Sequence, residues 1–340
     1  MKLKSTKSER RGFVVVVVLC MVIMMAVLLF AFNHKSRANL LAVDDLRKSQ
    51  HALNCARAGL NIAIAAINDA NDIHTNKKLV KLLTGQSSIA VGDGTCSITV
   101  TEENGKLNVN LLKDKNGRLN RTRTDQLLRL IDLLNQRRTE PVHIGYGLVP
   151  SIIDWVDKDE QLTCLSFVKH ENLGAESDYY RNLAPPYRCS NRPLDTTDEL
   201  LLVKGVTPQV FGLMRDYVTV KGDGKVNINC APKHIIESLS EKLDPALAQI
   251  IIDKRKAKPF GSITELRDVP GMTDSIYHAV NKTVTVSPTG RYYRVTSQGR
   301  VDEVSFTISA MLQKNMKPKN IDVILYKELQ ERTTTAFAGK

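Results

Sequence analysis

The segment from Phe13 to Phe32 reads FVVVVVLCMVIMMAVLLFAF, twenty residues without a charge. A helix needs about 20 such residues to span the hydrocarbon core of a bilayer. Five basic residues precede the segment (Lys2, Lys4, Lys7, Arg10 and Arg11), and only Lys35 and Arg37 follow closely. That asymmetry puts the N-terminus in the cytoplasm and the bulk of the chain across the membrane. A secretory signal peptide would have a shorter apolar core, about 7–15 residues, ending in a small-x-small cleavage site. This core is longer and no such site ends it. A signal anchor fits the hydropathy.

Beyond the apolar segment, Leu40, Leu41, Val43, Leu46, Leu53, Ala56, Leu60, Ile64 and Ile67 recur at helical spacing. No Gly or Pro interrupts the chain from Phe13 to Ala58. The pattern predicts one helix of about 55 residues, about 80 Å long, that leaves the membrane and packs against a head domain.

Short alternating runs follow. Residues 95–101 and 106–110 alternate with period 2 around Asn104-Gly105, a strong hairpin signal. Residues 292–300 and 304–312 alternate around Asp302-Glu303, and 321–326 predicts a further strand. Between these regions the period becomes helical, with one stripe at Leu127, Leu130, Ile131 and Leu134 and others at Leu200, Leu201, Val203, Val210, Leu213 and Met214. KLNVN at 106–110 and KVNIN at 225–229 bracket this block. Each carries Asn on one face, and Asn can bond nearby backbone and stop a strand. They are expected where the chain leaves and re-enters the sheet.

The net charge is +12, which invites a nucleic-acid reading, but the first twelve residues alone contribute +4 of it. The seven histidines are isolated, and neither GxSxG nor a phosphate-binding loop occurs, so no enzymatic activity is expected. Six cysteines lie far apart without CxxC, which argues against a zinc site. Cys164 and Cys189 flank an irregular acidic stretch and are the candidate disulfide. Residues 201–207 (LLVKGVT) and 266–273 (LRDVPGMT) look like helix-hairpin-helix turns. Where such turns bind DNA, a second Gly lets the backbone approach a phosphate. Here that position is Thr207 or Thr273. The alternative function they raise is a membrane-anchored DNA receptor of the competence type.

The charged leader ends at Arg11-Gly12, and Phe13 opens the apolar run, which resembles a type IV prepilin leader. In that family a prepilin peptidase cuts after the Gly and methylates the new N-terminal residue, here Phe13. With KLNVN, IIDWVDKDE at 152–160, GAESDYY at 174–180, NRPLDTTDELLLVKGVT at 191–207 and DYVTVKGDGKVNINCAP at 216–232, the chain resembles the minor pseudopilin K family of type II secretion. The resemblance implies an α+β fold: a pilin-like long N-terminal helix on a small antiparallel sheet, with a large inserted helical domain. The expected organisation is a leader at 1–12, a transmembrane helix at 13–32, the long helix and first strands of the head at 33–110, the inserted domain at 111–225, and the rest of the head at 226–340. It implies a tip component of the pseudopilus, in complex with minor pseudopilins I and J, held in the inner membrane with a periplasmic C-terminal domain and no nucleic-acid partner. Most pilins carry Glu five residues into the mature chain; here that position is Val17. A membrane carboxylate is costly without a partner, and a terminal subunit lacks the neighbour that supplies one.

Residues 154–178 hold seven carboxylates against Lys158 and Lys169. The spacing does not fit an EF-hand loop. The resemblance implies a structural Ca²⁺, and matching its acidic segments points to Asp157, Asp159, Glu176 and Asp178. Asp154 is expected to cap a turn beside Trp155, and Asn191 is a weaker candidate.

Overall fold

The computed structural model describes residues 7–69, 80, 84–114, 116–136, 142–316 and 319–332. The helices are α1 (Lys7–Asp69), α2 (Arg121–Gln136), α3 (Leu148–Val156), α4 (Ser177–Arg181), α5 (Pro208–Met214), α6 (Lys233–Ser238), α7 (Pro245–Ala257) and α8 (Asp274–Val280). The strands are β1 (Thr84–Val91), β2 (Gly94–Glu102), β3 (Leu107–Asn108), β4 (Val218–Thr219), β5 (Val226–Asn227), β6 (Val284–Thr285), β7 (Tyr292–Val301), β8 (Val304–Met316) and β9 (Lys319–Arg332).

Helix α1 runs unbroken for 63 residues. Its apolar side chains from Phe13 to Phe32 are bare except for the partly covered Val17, and Leu40, Leu41, Val43 and Leu46 are bare too. By length and composition the helix can cross a membrane. Burial begins at Ser49 and Ala52. From there Leu53, Ala56, Leu60, Ala63 and Ile67, spaced alternately three and four residues apart, form one stripe. The stripe packs on Ile98, Tyr293, Val295, Ile308, Ala310 and Leu312 of an antiparallel sheet ordered β1-β2-β7-β8-β9. Two polar contacts fix the register. Ser297 Oγ donates to the Ala56 carbonyl at 2.8 Å, and the buried Lys314 ammonium donates to the Ile67 carbonyl at 2.7 Å, near the helix C-terminus where a cation is favoured.

The β7–β8 hairpin turns at Asp302 (φ 51°), as the alternation predicts. The hairpin expected around Asn104-Gly105 does not form. Residues Glu103–Gly105 make a 3-10 turn instead, and β2 pairs with β1 and β7. Asn104 uses its side chain rather than its turn propensity: Oδ1 accepts from the amides of Arg291 (3.0 Å) and Tyr292 (3.2 Å). It thereby ties the chain where it leaves the sheet to the chain where it returns.

The inserted domain is larger than the sequence pattern implies. It lies between β2 and β7, not at 111–225, so residues 226–291 belong to it rather than to the head. Val226, Ile235, Ile251, Phe260, Leu266 and Val284 share one core with Leu127, Ile152 and Leu200. KVNIN does not re-enter the sheet. β5 pairs in parallel with β6, just as β3 pairs in parallel with β4.

Those two pairings belong to two copies of one module in tandem. In each copy the strand's first Asn accepts from the amide two residues on, Asn108 from Asn110 at 3.0 Å and Asn227 from Asn229 at 3.2 Å. Each continues into a 3-10 turn (Thr197–Leu202 and Ile263–Asp268), a left-handed Gly (Gly205, φ 86°; Gly271, φ 89°), a Thr that caps a short helix, and a closing strand. The caps are Thr207, accepting from the Val210 amide at 3.2 Å, and Thr273, accepting from Ile276 at 3.3 Å. The first copy differs by the long excursion that carries α3, α4 and the acidic residues.

Candidate metal centre

Every residue of α3 is buried, including Asp154. The Asp154 Oδ1 accepts from the Thr163 amide at 2.9 Å, as a turn cap should, but Oδ2 is buried without a partner. The helix ends at Asp157, one turn on and on the same face. The loop then doubles back. Leu165 N donates to Asn172 O (2.9 Å) and Gly174 N to Thr163 O (3.1 Å), which carries Glu176 over the end of α3. Carboxylate oxygens of Asp157, Asp159 and Glu176 lie within 4.8 Å of one another.

Glu176 is 5% exposed, and neither of its oxygens has a hydrogen-bond partner. Burial, reinforced by Asp154, Asp157, Glu160 and Asp159, pushes its carboxyl up to about 8. Burial also raises Asp154 and Asp157. Glu160 sits at the rim and is held below the usual range by the Ser177 hydroxyl (2.9 Å), with the Ser177 amide at 3.3 Å and Asn191 Nδ2 at 3.1 Å. Asn191 takes φ 48°, and its Oδ1 is buried without a partner.

The structure therefore brings together three of the four predicted ligands. Asp178 is not among them: its carboxylate is 95% exposed and pairs with Arg181 at 2.8 Å, because two residues along from Glu176 it leaves on the outer side of α4. Asp154 is instead a buried carboxylate beside the cluster, with Oδ2 unpartnered, and it is the charged neighbour that raises Glu176 most. The spacing of Asp154 and Asp157 on one helical face was the signal available for it.

The donors fit a hard cation. They are all oxygens, and several are buried with no other partner: Asp154 Oδ2, Asp157 Oδ1, both Glu176 oxygens and Asn191 Oδ1. Calcium takes 6–8 such ligands at flexible geometry. Gly174 leaves the room this requires, since a Cβ there would sit 2.0 Å from Asp154 Oδ2.

The Cys164–Cys189 bond is not formed. Cys164 is exposed and free, while Cys189 is buried and donates to the Asp154 carbonyl at 3.3 Å, so the two thiols serve different surroundings. Burial pushes the Cys189 thiol up to about 12. Cys55 of α1 and Cys96 of β2 instead share a small buried cluster with Ala52 and Val301.

The helix-hairpin-helix-like turns are capped and packed within the insertion. Thr207 and Thr273 occupy amides at the following helix N-termini, the groups a phosphate would need. Val203 and Val269 fill the core behind them.

A bare apolar helix that continues into a sheet-packed stalk, with a two-module insertion holding a carboxylate cage, defines a pilin-like protein with an added domain. Two family profiles described as type II secretion system protein K match the chain, one at residues 105–223 and the other at 226–287, close to the two modules. The chain belongs to the type II secretion system protein K family. It is 24% identical over 230 residues to the type II secretion system protein K of Pseudomonas aeruginosa, covering 66% of this chain and 63% of that one. It is 31% identical over 122 residues to the Aeromonas hydrophila protein K, covering 36% of this chain and 33% of that one. The chain thus spans less than two thirds of the length of these curated relatives. A chain of the GspK-GspI-GspJ complex from the enterotoxigenic Escherichia coli type 2 secretion system matches in fold, with a TM-score of 0.66, at 20% identity over 85% of this chain and all of that one.

Proposed function

We propose that this protein is a minor pseudopilin of type II secretion, a structural subunit rather than an enzyme, anchored in the inner membrane by α1 with its head and insertion in the periplasm. The observation that carries the reading is the single helix from Lys7 to Asp69, bare and apolar at one end and packed on an antiparallel sheet at the other. A helix of that kind lets subunits pack side by side in a membrane while their heads assemble outside it. Val17, with no carboxylate to neutralise, suits the terminal position of the filament, and the fold neighbour comes from a complex with GspI and GspJ. Minor pseudopilins I and J are accordingly the proposed partners. Cleavage by a prepilin peptidase falls between Gly12 and Phe13, with methylation of Phe13.

Calcium is the proposed ligand of the acidic cluster, held by Asp157, Asp159 and Glu176 with Asp154 and Asn191 beside them. It would supply charge neutralisation that orders the loop from Asp157 to Glu176.

The N-terminal mass of the protein extracted from its native membrane tests the main reading. A chain beginning at N-methylated Phe13 is expected. A chain beginning at Met1 would remove the prepilin pathway and leave a simple signal-anchored protein.

A further inference from the structure

One cation among the described residues reaches into the carboxylate cluster. Lys113 follows the first module's opening strand and forms an isolated bridge with Leu119. Its ammonium pairs with Asp157 and lies 3.8 Å from Asp159, so it touches two of the three residues that converge there. It does not reach Glu176, whose oxygens stay unpartnered although the residue is 5% exposed. Asp154 Oδ2 and Asp157 Oδ1 are buried and equally unserved. An ammonium has three donors to offer, and a cage of this many oxygens has more acceptors than it can satisfy. The Lys113 side chain is 18% exposed, which leaves it an open side toward solvent.

We propose that Lys113 is the site's own stand-in cation, which holds Asp157 and Asp159 together when no metal is bound and is displaced toward solvent when a divalent cation enters. The two occupants exclude each other on charge. A divalent ion seated between Asp157, Asp159 and Glu176 would lie a few ångströms from the ammonium at low local dielectric, where like charges repel strongly. Lys113 therefore lowers the affinity for metal and protects the metal-free fold, and removing its charge moves those two properties in opposite directions. A purely structural lysine would weaken both.

The inference rests on the acidic cluster being a calcium site, and the test separates the two. Full-length protein in detergent is stripped with EDTA and titrated with calcium chloride, using the fluorescence of Trp155, the chain's one tryptophan, next to Asp154. Lys113→Met is expected to bind calcium at least about tenfold more tightly than the wild type, and to melt at a lower temperature in EDTA. Lys113→Arg, which keeps the charge, should stay within about threefold of the wild type and preserves a folded comparison should the Met variant fail to fold. Wild-type binding with unchanged or weaker affinity in Lys113→Met overturns the stand-in role alone. Absence of calcium binding by the wild type overturns the metal site and the stand-in role together.

Discussion

The side chain of Asn110 closes on the backbone of Leu194 from both sides, donating to its carbonyl at 2.9 Å and accepting from its amide at 2.8 Å. Asn229 does the same to Phe260, at 2.9 Å to the carbonyl and 2.9 Å from the amide. Each Asn thus behaves as one more rung of a strand, holding the entry to a 3-10 turn against the strand that opens its module. Loss of either leaves a buried amide and a buried carbonyl unpaired, at about 1–3 kcal/mol for each group. Asn229→Ala should therefore destabilise the chain by about 2–6 kcal/mol in urea denaturation. Asn110→Ala should cost a similar amount, since its Nδ2 also reaches the Val220 carbonyl at 3.0 Å. A loss below about 0.5 kcal/mol would mean that water replaces the side chain.

Glu176 makes the metal-free protein sensitive to alkali rather than acid at this site. Its carboxyl holds a proton more tightly folded than unfolded, from the ordinary 4.5 up to about 8. The stabilising contribution is full below about 4.5 and lost as pH rises through about 8. In EDTA, Glu176→Gln should match the wild type near pH 5 and exceed it at pH 8.5, by thermal melting. In saturating calcium the order should reverse, because the variant has lost a ligand. Equal pH profiles for the two proteins in EDTA would remove Glu176 as the source.

The junction between head and insertion should respond in the opposite sense. Burial alone would raise the fully buried Glu103, but Lys106 at 2.8 Å and Arg294 at 3.1 Å outweigh it and hold the carboxyl below its usual range. Stability from this group is present above about 4.5 and is lost as pH falls through its folded value. Arg294 also donates to Thr197 Oγ1 at 3.2 Å, linking β7 to the first module's 3-10 turn. Arg294→Met should cost about 1.5–3 kcal/mol, the loss of one charged hydrogen bond, because Lys106 still compensates Glu103. Hydrogen exchange should show the loss first at Glu103–Leu107. Faster exchange confined to β7 would disprove that coupling.

How much of this was legible in the sequence depended on how local the cause was. The long helix shows in a single stripe and in the absence of Gly and Pro. The β7–β8 hairpin shows in alternation around Asp302. By contrast, β5 is two residues long and its partner β6 comes only after three helices. Nothing near KVNIN distinguishes a strand that rejoins the main sheet from one that opens a second module. The module repeat itself was readable, because Leu194, Gly205, Thr207 and Val218 recur in step as Phe260, Gly271, Thr273 and Val284. At the site, composition marked the loop as acidic, but convergence is set by helix faces. Matching the family's acidic segments admitted the outward-facing Asp178 and left Asp154 as a turn cap, although it lies one helical turn before Asp157.

Asp154 can be tested as a cation ligand without changing its chemistry, through Gly174. An added Cβ there would lie 2.0 Å from Asp154 Oδ2 and 2.7 Å from the Pro150 carbonyl, so the carboxylate must turn away or the loop must shift. Overpacking of this kind costs about 1–3 kcal/mol. If Oδ2 serves the cation, Gly174→Ala should also weaken calcium binding by about tenfold, equivalent to about 1.4 kcal/mol. The separating comparison is Asp154→Asn, which keeps the Thr163 amide contact through its carbonyl oxygen but carries no charge. Both variants should lose calcium affinity, and only Gly174→Ala should be destabilised in EDTA at pH 8. If Asp154→Asn binds calcium as the wild type does, Asp154 is a turn cap alone, and the cation rests on Asp157, Asp159 and Glu176.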